Sequence, residues 1–158
     1  MDIKKIRSLY HYDPETGHLT RRKGRSGHFA GSRAGFDNGG GYRAIRANGK
    51  AYLEHRLIWA LVYGSLPDGQ IDHINLDKSD NRIANLRLAD SSQQQANTAP
   101  LSKKNGIPKG VRPCGSKWQA RIGIGGKTKH LGVFHTKESA SDAYAAALKN
   151  EFGEFARA

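Results

Sequence analysis

The chain has 158 residues, 37% of them apolar, with 26 Lys+Arg against 14 Asp+Glu and a net charge of +12. That length suits one ordinary domain or two very small modules, and no apolar run approaches the ~18 residues of a membrane span. A single cysteine, Cys114, excludes an internal disulfide and a multi-cysteine zinc cage, while the charge calls for an anionic partner, nucleic acid ahead of a membrane surface.

Residues 2–10 suit a short helix with Ile3, Ile6 and Tyr10 on one side. Tyr12 to Gly17 is a turn, since Pro14 presets one dihedral and Gly17 supplies positive φ. A strand His18–Arg21 follows, then Gly- and Arg-rich loops around short strands over 22–41. Tyr42–Ala47, Asn48-Gly49 and Lys50–Leu53 make a hairpin pattern with a two-residue turn. His55 to Tyr63 suits a buried helix that Gly64 ends. A strand at Gln70–Asn75, a polar loop over 76–85, a strand at Leu86–Ala89 and a polar helix opening near Asp90 come next. Thr98–Lys109 has linker composition and is expected to bind neither flanking module. Gly110–Arg112 starts a strand. Lys117–Ile124 alternates, with Trp118, Ala120, Ile122 and Ile124 on the apolar face. Gly125-Gly126 turns into Lys127–Phe134. Thr136 caps a helix whose stripe is Ala140, Ala143, Tyr144, Ala147, Leu148 and Phe152.

The charge is uneven: +6 over 1–70, −1 over 71–100 and +7 over 101–158. Basic flanks suit phosphates, and a carboxylate-bearing centre suits a metal. In that centre stand Asp72-His73-Ile74, Asn81-Arg82-Ile83, Asn85-Leu86-Arg87 and Asn97. Strand, loop, strand and helix can bring them to one edge. A Mg²⁺ ion wants a few oxygen ligands and room for water, which Asp72 and Asn97 can offer. Histidine is the side chain suited to taking a proton from water near neutral pH, which points to His73. Adjacent strand residues point to opposite faces, so Asp72 and His73 share a site only where the strand ends or twists.

Over roughly residues 8–98 these motifs resemble the HNH homing-endonuclease family in its zinc-free, phage-type form. His55-Arg56-Leu57-Ile58-Trp59, the Tyr12–Gly17 turn and Leu19 extend the match upstream. The resemblance implies His73 as general base, Asn85 as holder of the catalytic loop and of that histidine, and Asp72 and Asn97 as metal ligands. Residues 110–158 resemble a second family, the Apetala-class ethylene-response-factor DNA-binding domain. Gly110-Val111-Arg112, Lys117-Trp118, Ala120, Ile122, Leu131-Gly132, Phe134, Ala140, Ala143-Tyr144 and Ala146-Ala147 stand in its order. Cys114 and His130 replace two contact tryptophans, Arg121 a glutamate and Gly123 an arginine, so the plant target sequence does not carry over.

The expected fold class is α+β. A small mixed N-terminal region with a ββα-metal core (1–98) is joined by a linker (99–109) to a three-stranded antiparallel sheet packed on one helix (110–158). The expected function is metal-dependent DNA endonuclease, as in phage or mobile-element homing enzymes. A non-catalytic DNA-binding regulator with a decayed nuclease part is the alternative. Arg112, Lys117, Arg121, Lys127 and Lys129 are the expected DNA contacts. The expected cofactor is a divalent cation, Mg²⁺ or else Mn²⁺, without zinc and without a small-molecule cofactor. The expected partner is double-stranded DNA, bound by a monomer or dimer. With no signal-peptide pattern, the expected location is the cytoplasm of a bacterial host.

Overall fold

The computed structural model describes residues 2–24, 27–47, 49–97 and 106–156. Its backbone divides into two compact units, Met1–Leu88 and Ala89–Ala158. Both are built from short helices and small sheets, so the chain is α+β. Among the described residues no helix is long and apolar enough to cross a membrane.

In the first unit, α1 (Ile3–Leu9) starts at Asp2, whose Oδ1 accepts the Lys4 N–H at 2.9 Å. That satisfies one of the orphan donors at a helix start. β1 (Tyr10–Asp13) and β2 (His18–Arg21) pair antiparallel, with Tyr12 opposite Leu19. Tyr10 therefore caps α1, its N–H on the Ile6 carbonyl, and already opens β1, so the helix stops short of the expected residue 10. β3 (Phe36–Asp37), β4 (Arg43–Ala47) and β5 (Lys50–Leu53) form a second antiparallel sheet. Asn48, half of the expected hairpin turn, lies outside the described residues. α2 (Glu54–Tyr63) ends at Gly64, whose φ of 81° suits a glycine cap.

Arg56 donates from α2 to the Pro67 and Gly69 carbonyls at 2.9 and 3.0 Å, pinning the approach to β6 (Gln70–His73). β6 pairs with β7 (Leu86–Ala89), which a 3₁₀ turn at Ile83–Asn85 precedes. β6 stops two residues before the expected Asn75. The Leu76 N–H bonds back to the His73 carbonyl at 3.0 Å and Leu76 takes a φ of 68°, so the chain turns there. Leu19, Ala34, Ile45, Leu57, Ile58, Ile71 and Leu86 form the core.

In the second unit, α3 (Ser91–Asn97) opens with a reciprocal cap. Asp90 Oδ1 accepts the Gln93 N–H while Gln93 Oε1 accepts the Asp90 N–H, both at 2.8 Å. β8 (Val111–Cys114), β9 (Lys117–Ile124) and β10 (Lys127–Phe134) form an antiparallel sheet in the order β10-β9-β8. α4 (Lys137–Phe152) packs on this sheet, its start capped by Thr136 Oγ1 on the Ser139 N–H at 3.1 Å. Ala96, Ile122, Tyr144, Leu148 and Phe155 share one cluster, and Val111, Ala120 and Ala140 another. Gly110 has φ 75°, and a Cβ there would sit 2.0 Å from the Tyr144 ring, so only glycine lets the strand begin against α4.

Residues 98–105 of the expected linker lie outside the described residues. Its last residues do not behave as a spacer. Ile107 packs against the Val111 cluster, and Lys109 Nζ donates to the Gln95 and Ala96 carbonyls at 2.6 and 3.3 Å. The carbonyls at a helix end have no partner within the helix, so a cation is drawn there.

Candidate active site

Asp72 and His73 end β6 and both are buried, at 7% and 4% exposure. Their alternation along the strand sends them to different neighbours. Asp72 Oδ2 accepts from Arg87 Nε on β7 at 2.9 Å. His73 turns toward the loop, where its Nε2 lies 3.0 Å from Asn81 Oδ1.

Asn81 is fully buried and continues the chain of contacts. Its Nδ2 donates to Glu54 Oε2 at 3.1 Å. Glu54, the first residue of α2, is also fully buried. Its carboxylate lies 3.4 Å from Arg43 Nε and 4.0 Å from Arg33, and it accepts the Leu19 N–H at 3.3 Å. Burial pushes its pKa up, and these donors oppose the shift. The Tyr12–Gly17 turn supports the same place from outside. Tyr12 Oη accepts the Ile83 N–H at 2.9 Å. Gly17 has φ 71°, and a Cβ there would meet the Arg82 nitrogen at 2.4 Å.

His55 meets His73 edge-on, with ring centroids 5.1 Å apart, and Tyr42 tilts against both at 5.4 and 5.9 Å. Burial, then the neighbouring His73 and Arg56, lowers the His55 pKa to about 3, so His55 is neutral at physiological pH. It acts as a wedge fixing the His73 ring.

Asn85 holds the loop. Its Oδ1 accepts the Asn75 N–H at 3.0 Å, and its Nδ2 donates to Asn75 Oδ1 and the Asp80 carbonyl at 2.9 and 2.8 Å. The Ile74 N–H bonds to the Asn85 carbonyl at 2.9 Å. These bonds offset the strain of Leu76 in the left-handed region. Asp80 is fixed by Arg82 at 2.8 and 2.6 Å, and this contact lowers its pKa to about 2.

Asn97 is buried at the end of α3, in the second unit. Arg112, Lys117, Arg121, Lys127 and Lys129 are all exposed, but the strand register divides them. Arg112 stands opposite Gln119, and Arg121 opposite His130. Alternation puts these, with Lys117, on the face away from the apolar stripe. Lys129 and Lys127 stand opposite Ile122 and Ile124, in register with the stripe itself. On the open face a row crosses all three strands: Arg112 Nε donates to Gln119 Oε1, and Gln119 Nε2 lies 2.9 Å from His130 Nδ1.

Sequence reasoning missed Glu54, Asn81 and Tyr42 as partners of His73. A carboxylate beginning an otherwise apolar helix was the available signal for Glu54. Asn81 stood in plain view in Asp80-Asn81-Arg82, a segment that composition makes look like solvated loop.

Among the described residues no three His, Cys, Asp or Glu side chains form a metal cage. Mg²⁺ does not require one, since it keeps several waters and takes one or two carboxylates. The Asp72 carboxylate, buried at the end of β6 and held by Arg87, fits such an ion by its oxygen donor chemistry.

Residues 52–96 match the family model for HNH endonucleases. The chain is also 34% identical over 118 residues to an uncharacterized HNH endonuclease of Acanthamoeba polyphaga mimivirus, a span covering 73% of this chain and 61% of that relative. The chain thus aligns with about three-fifths of the relative's length. No solved structure matches it. The segment from Tyr52 to Ala96 contains Glu54, His55, Asp72, His73, Asn81 and Asn85, so the buried network and the HNH match coincide.

Proposed function

We propose that this chain is a metal-dependent DNA endonuclease of the zinc-free HNH type, with His73 as general base. The observation that carries the reading is the buried Asp72–His73 pair at the end of β6, inside the stretch that matches HNH endonucleases. Imidazole is suited to accept a proton from water near pH 7. The water oxygen bonds to phosphorus, its proton passes to His73, and the P–O3′ bond breaks; the departing 3′ oxygen takes a proton from solvent, leaving a 5′-phosphate and a 3′-hydroxyl. Asp72 is the ligand this chain offers to a divalent cation, and the role of Asn97 as a second ligand rests on the family resemblance alone. When bound, Mg²⁺ or Mn²⁺ supplies charge stabilisation at the phosphoryl and leaving oxygens. Asn85 keeps the 74–85 loop folded behind His73.

The second unit is proposed as the targeting module, of the Apetala-class type. Its support is the three-stranded antiparallel sheet on α4 and the open face bearing Arg112, Lys117 and Arg121. Cations there hold phosphates or read base edges. The test is supercoiled plasmid incubated with the full chain and Mg²⁺, with and without chelator. Chelator-sensitive nicking or linearisation is the expected result. Binding without cutting in every divalent metal contradicts the proposal and leaves a DNA-binding regulator.

A further inference from the structure

The geometry points to Glu54 and Asn81 as a positioning pair that fixes the tautomer of His73, so that Nε2 carries the proton and Nδ1 is the basic nitrogen. The argument runs from the carboxylate outward. Glu54 accepts the Leu19 N–H at 3.3 Å and faces the Arg43 and Arg33 guanidiniums at 3.4 and 4.0 Å. An ionised carboxylate only accepts hydrogen bonds. The Asn81 group facing Glu54 Oε2 at 3.1 Å is therefore its NH₂. An amide has one oxygen, and with the NH₂ committed, that oxygen is what His73 Nε2 meets at 3.0 Å. A carbonyl oxygen accepts, so Nε2–H donates. A neutral imidazole with Nε2–H has its lone pair on Nδ1.

Burial strengthens the ordering. Glu54 and Asn81 have no measurable solvent exposure and His73 has 4%, so water does not compete for these bonds. Flipping the Asn81 amide would set its oxygen against the carboxylate and its NH₂ against Nε2, breaking one contact to allow the other. The edge-on His55 ring and the tilted Tyr42 ring oppose rotation of His73 about its own axis. The Gly17 turn sits against the Asn81 and Arg82 backbone, which confines the segment that carries the Asn81 side chain. Asn85, by contrast, spends its side chain on Asn75 and the Asp80 carbonyl. Two asparagines thus divide two tasks: Asn85 holds the loop and Asn81 holds the ring.

The tautomer assignment stands on the Glu54–Asn81–His73 contacts and on Glu54 being a carboxylate, the form that the neighbouring Arg33 and Arg43 guanidiniums favour. Its bearing on catalysis rests on the endonuclease reading above. Long-range ¹⁵N–¹H correlation of the histidine rings in the full chain, at mildly alkaline pH without metal or DNA, reads the tautomer directly. His73→Ala identifies the His73 signals. The expected result is His73 protonated on Nε2. Protonation on Nδ1 in the wild type overturns the inference. Glu54→Gln removes the obligate acceptor and lets the Asn81 amide turn over, so the tautomers should mix. Cleavage should then fall roughly 10–100-fold with DNA affinity unchanged, as for other lost orienting partners. Exchanging the acid and the amide in Glu54→Gln/Asn81→Asp restores the donor–acceptor order, and both the Nε2–H tautomer and the cleavage rate should return. A single variant that leaves the tautomer fixed, or a double variant that fails to restore it while folded by its amide spectrum, overturns the inference. Wild-type cutting by His73→Ala refutes the general-base role of His73 instead, and leaves the tautomer result intact.

Discussion

The two units spend their buried volume differently. Glu54, His55, Asp72, His73, Asn81 and Asn85 are buried in the first unit, whereas Asn97 is the buried polar side chain described in the second. The second unit's interior is alanine, leucine, isoleucine, valine and two aromatic rings, and its charges stand outside. Burying a polar group costs free energy unless every bond is made. The first unit offsets part of that cost with Arg33, Arg43 and Arg87, each brought near a carboxylate, while Arg43 Nε and His55 Nδ1 stay buried without a hydrogen-bond partner. On the proposed endonuclease reading, the first unit accepts this cost to hold its polar groups in place for chemistry. The second unit needs only a firm scaffold under an exposed basic face.

The sharpest way to break that contrast is His73→Ala. Cleavage should drop by ~10²–10⁴, the usual worth of a general base, while DNA affinity in gel-shift titration stays within a few-fold. Matching losses of binding and cutting would mean that His73 is structural.

Core truncation comes next. Leu57→Ala and Leu148→Ala each remove a fully buried leucine, one from each unit, and each should cost ~2–5 kcal/mol in urea melts. Hydrogen exchange resolved by residue should show the larger loss of protection in the truncated unit. Equal loss in both would dissolve the distinction between them.

Acid should also separate the units. The folded-state pKa of His55, about 3, lies below the ordinary value of 6.5. The unfolded chain therefore binds the proton first, and stability falls as pH drops from 6.5 toward 3, by up to ~1.4 kcal/mol per pH unit. His18, lowered mainly by burial, acts in the same direction. The Asp80–Arg82 contact gives a further loss below the ordinary 3.8, complete once pH passes below about 2. Exchange at Leu57 should accelerate between pH 6.5 and 5 while exchange at Leu148, corrected for intrinsic rates, holds steady. His55→Leu should remove most of that slope.

The smallest effects belong to the basic sheet. Arg121→Ala, on the open face, should cost ~1–3 kcal/mol of discrimination if it reads a base. Lys127→Ala and Lys129→Ala, in register with the apolar stripe, should change the slope of log K against log salt by less than ~0.9 each. Competition binding over a salt series separates these outcomes, and equal effects at all three positions would mean that the sheet binds through diffuse charge.

How far the sequence alone reached follows from what each pattern depends on. Lys117–Ile124 alternates with period two and is the observed β9, because one face packs on α4. Gly64 and Thr136 mark helix ends through local chemistry, and both ends stand where expected. Motif order singled out Asp72, His73 and Asn85, and all three are buried, at the end of β6 and in the 3₁₀ turn before β7. Asn81 and Glu54 were not legible, because their meaning lies in a contact across 27 residues that no local pattern carries. The face of Lys127 and Lys129 was hidden for a related reason: it depends on the pairing of β10 with β9. Tyr10 looked helical by spacing, yet pairing with Arg21 draws it into β1.

The most direct test of the central claim is cleavage of one supercoiled plasmid by wild type and His73→Ala, side by side in Mg²⁺. The account predicts 5′-phosphate, 3′-hydroxyl ends from the wild type and intact supercoil from the variant. Equal cutting by both proteins would contradict it.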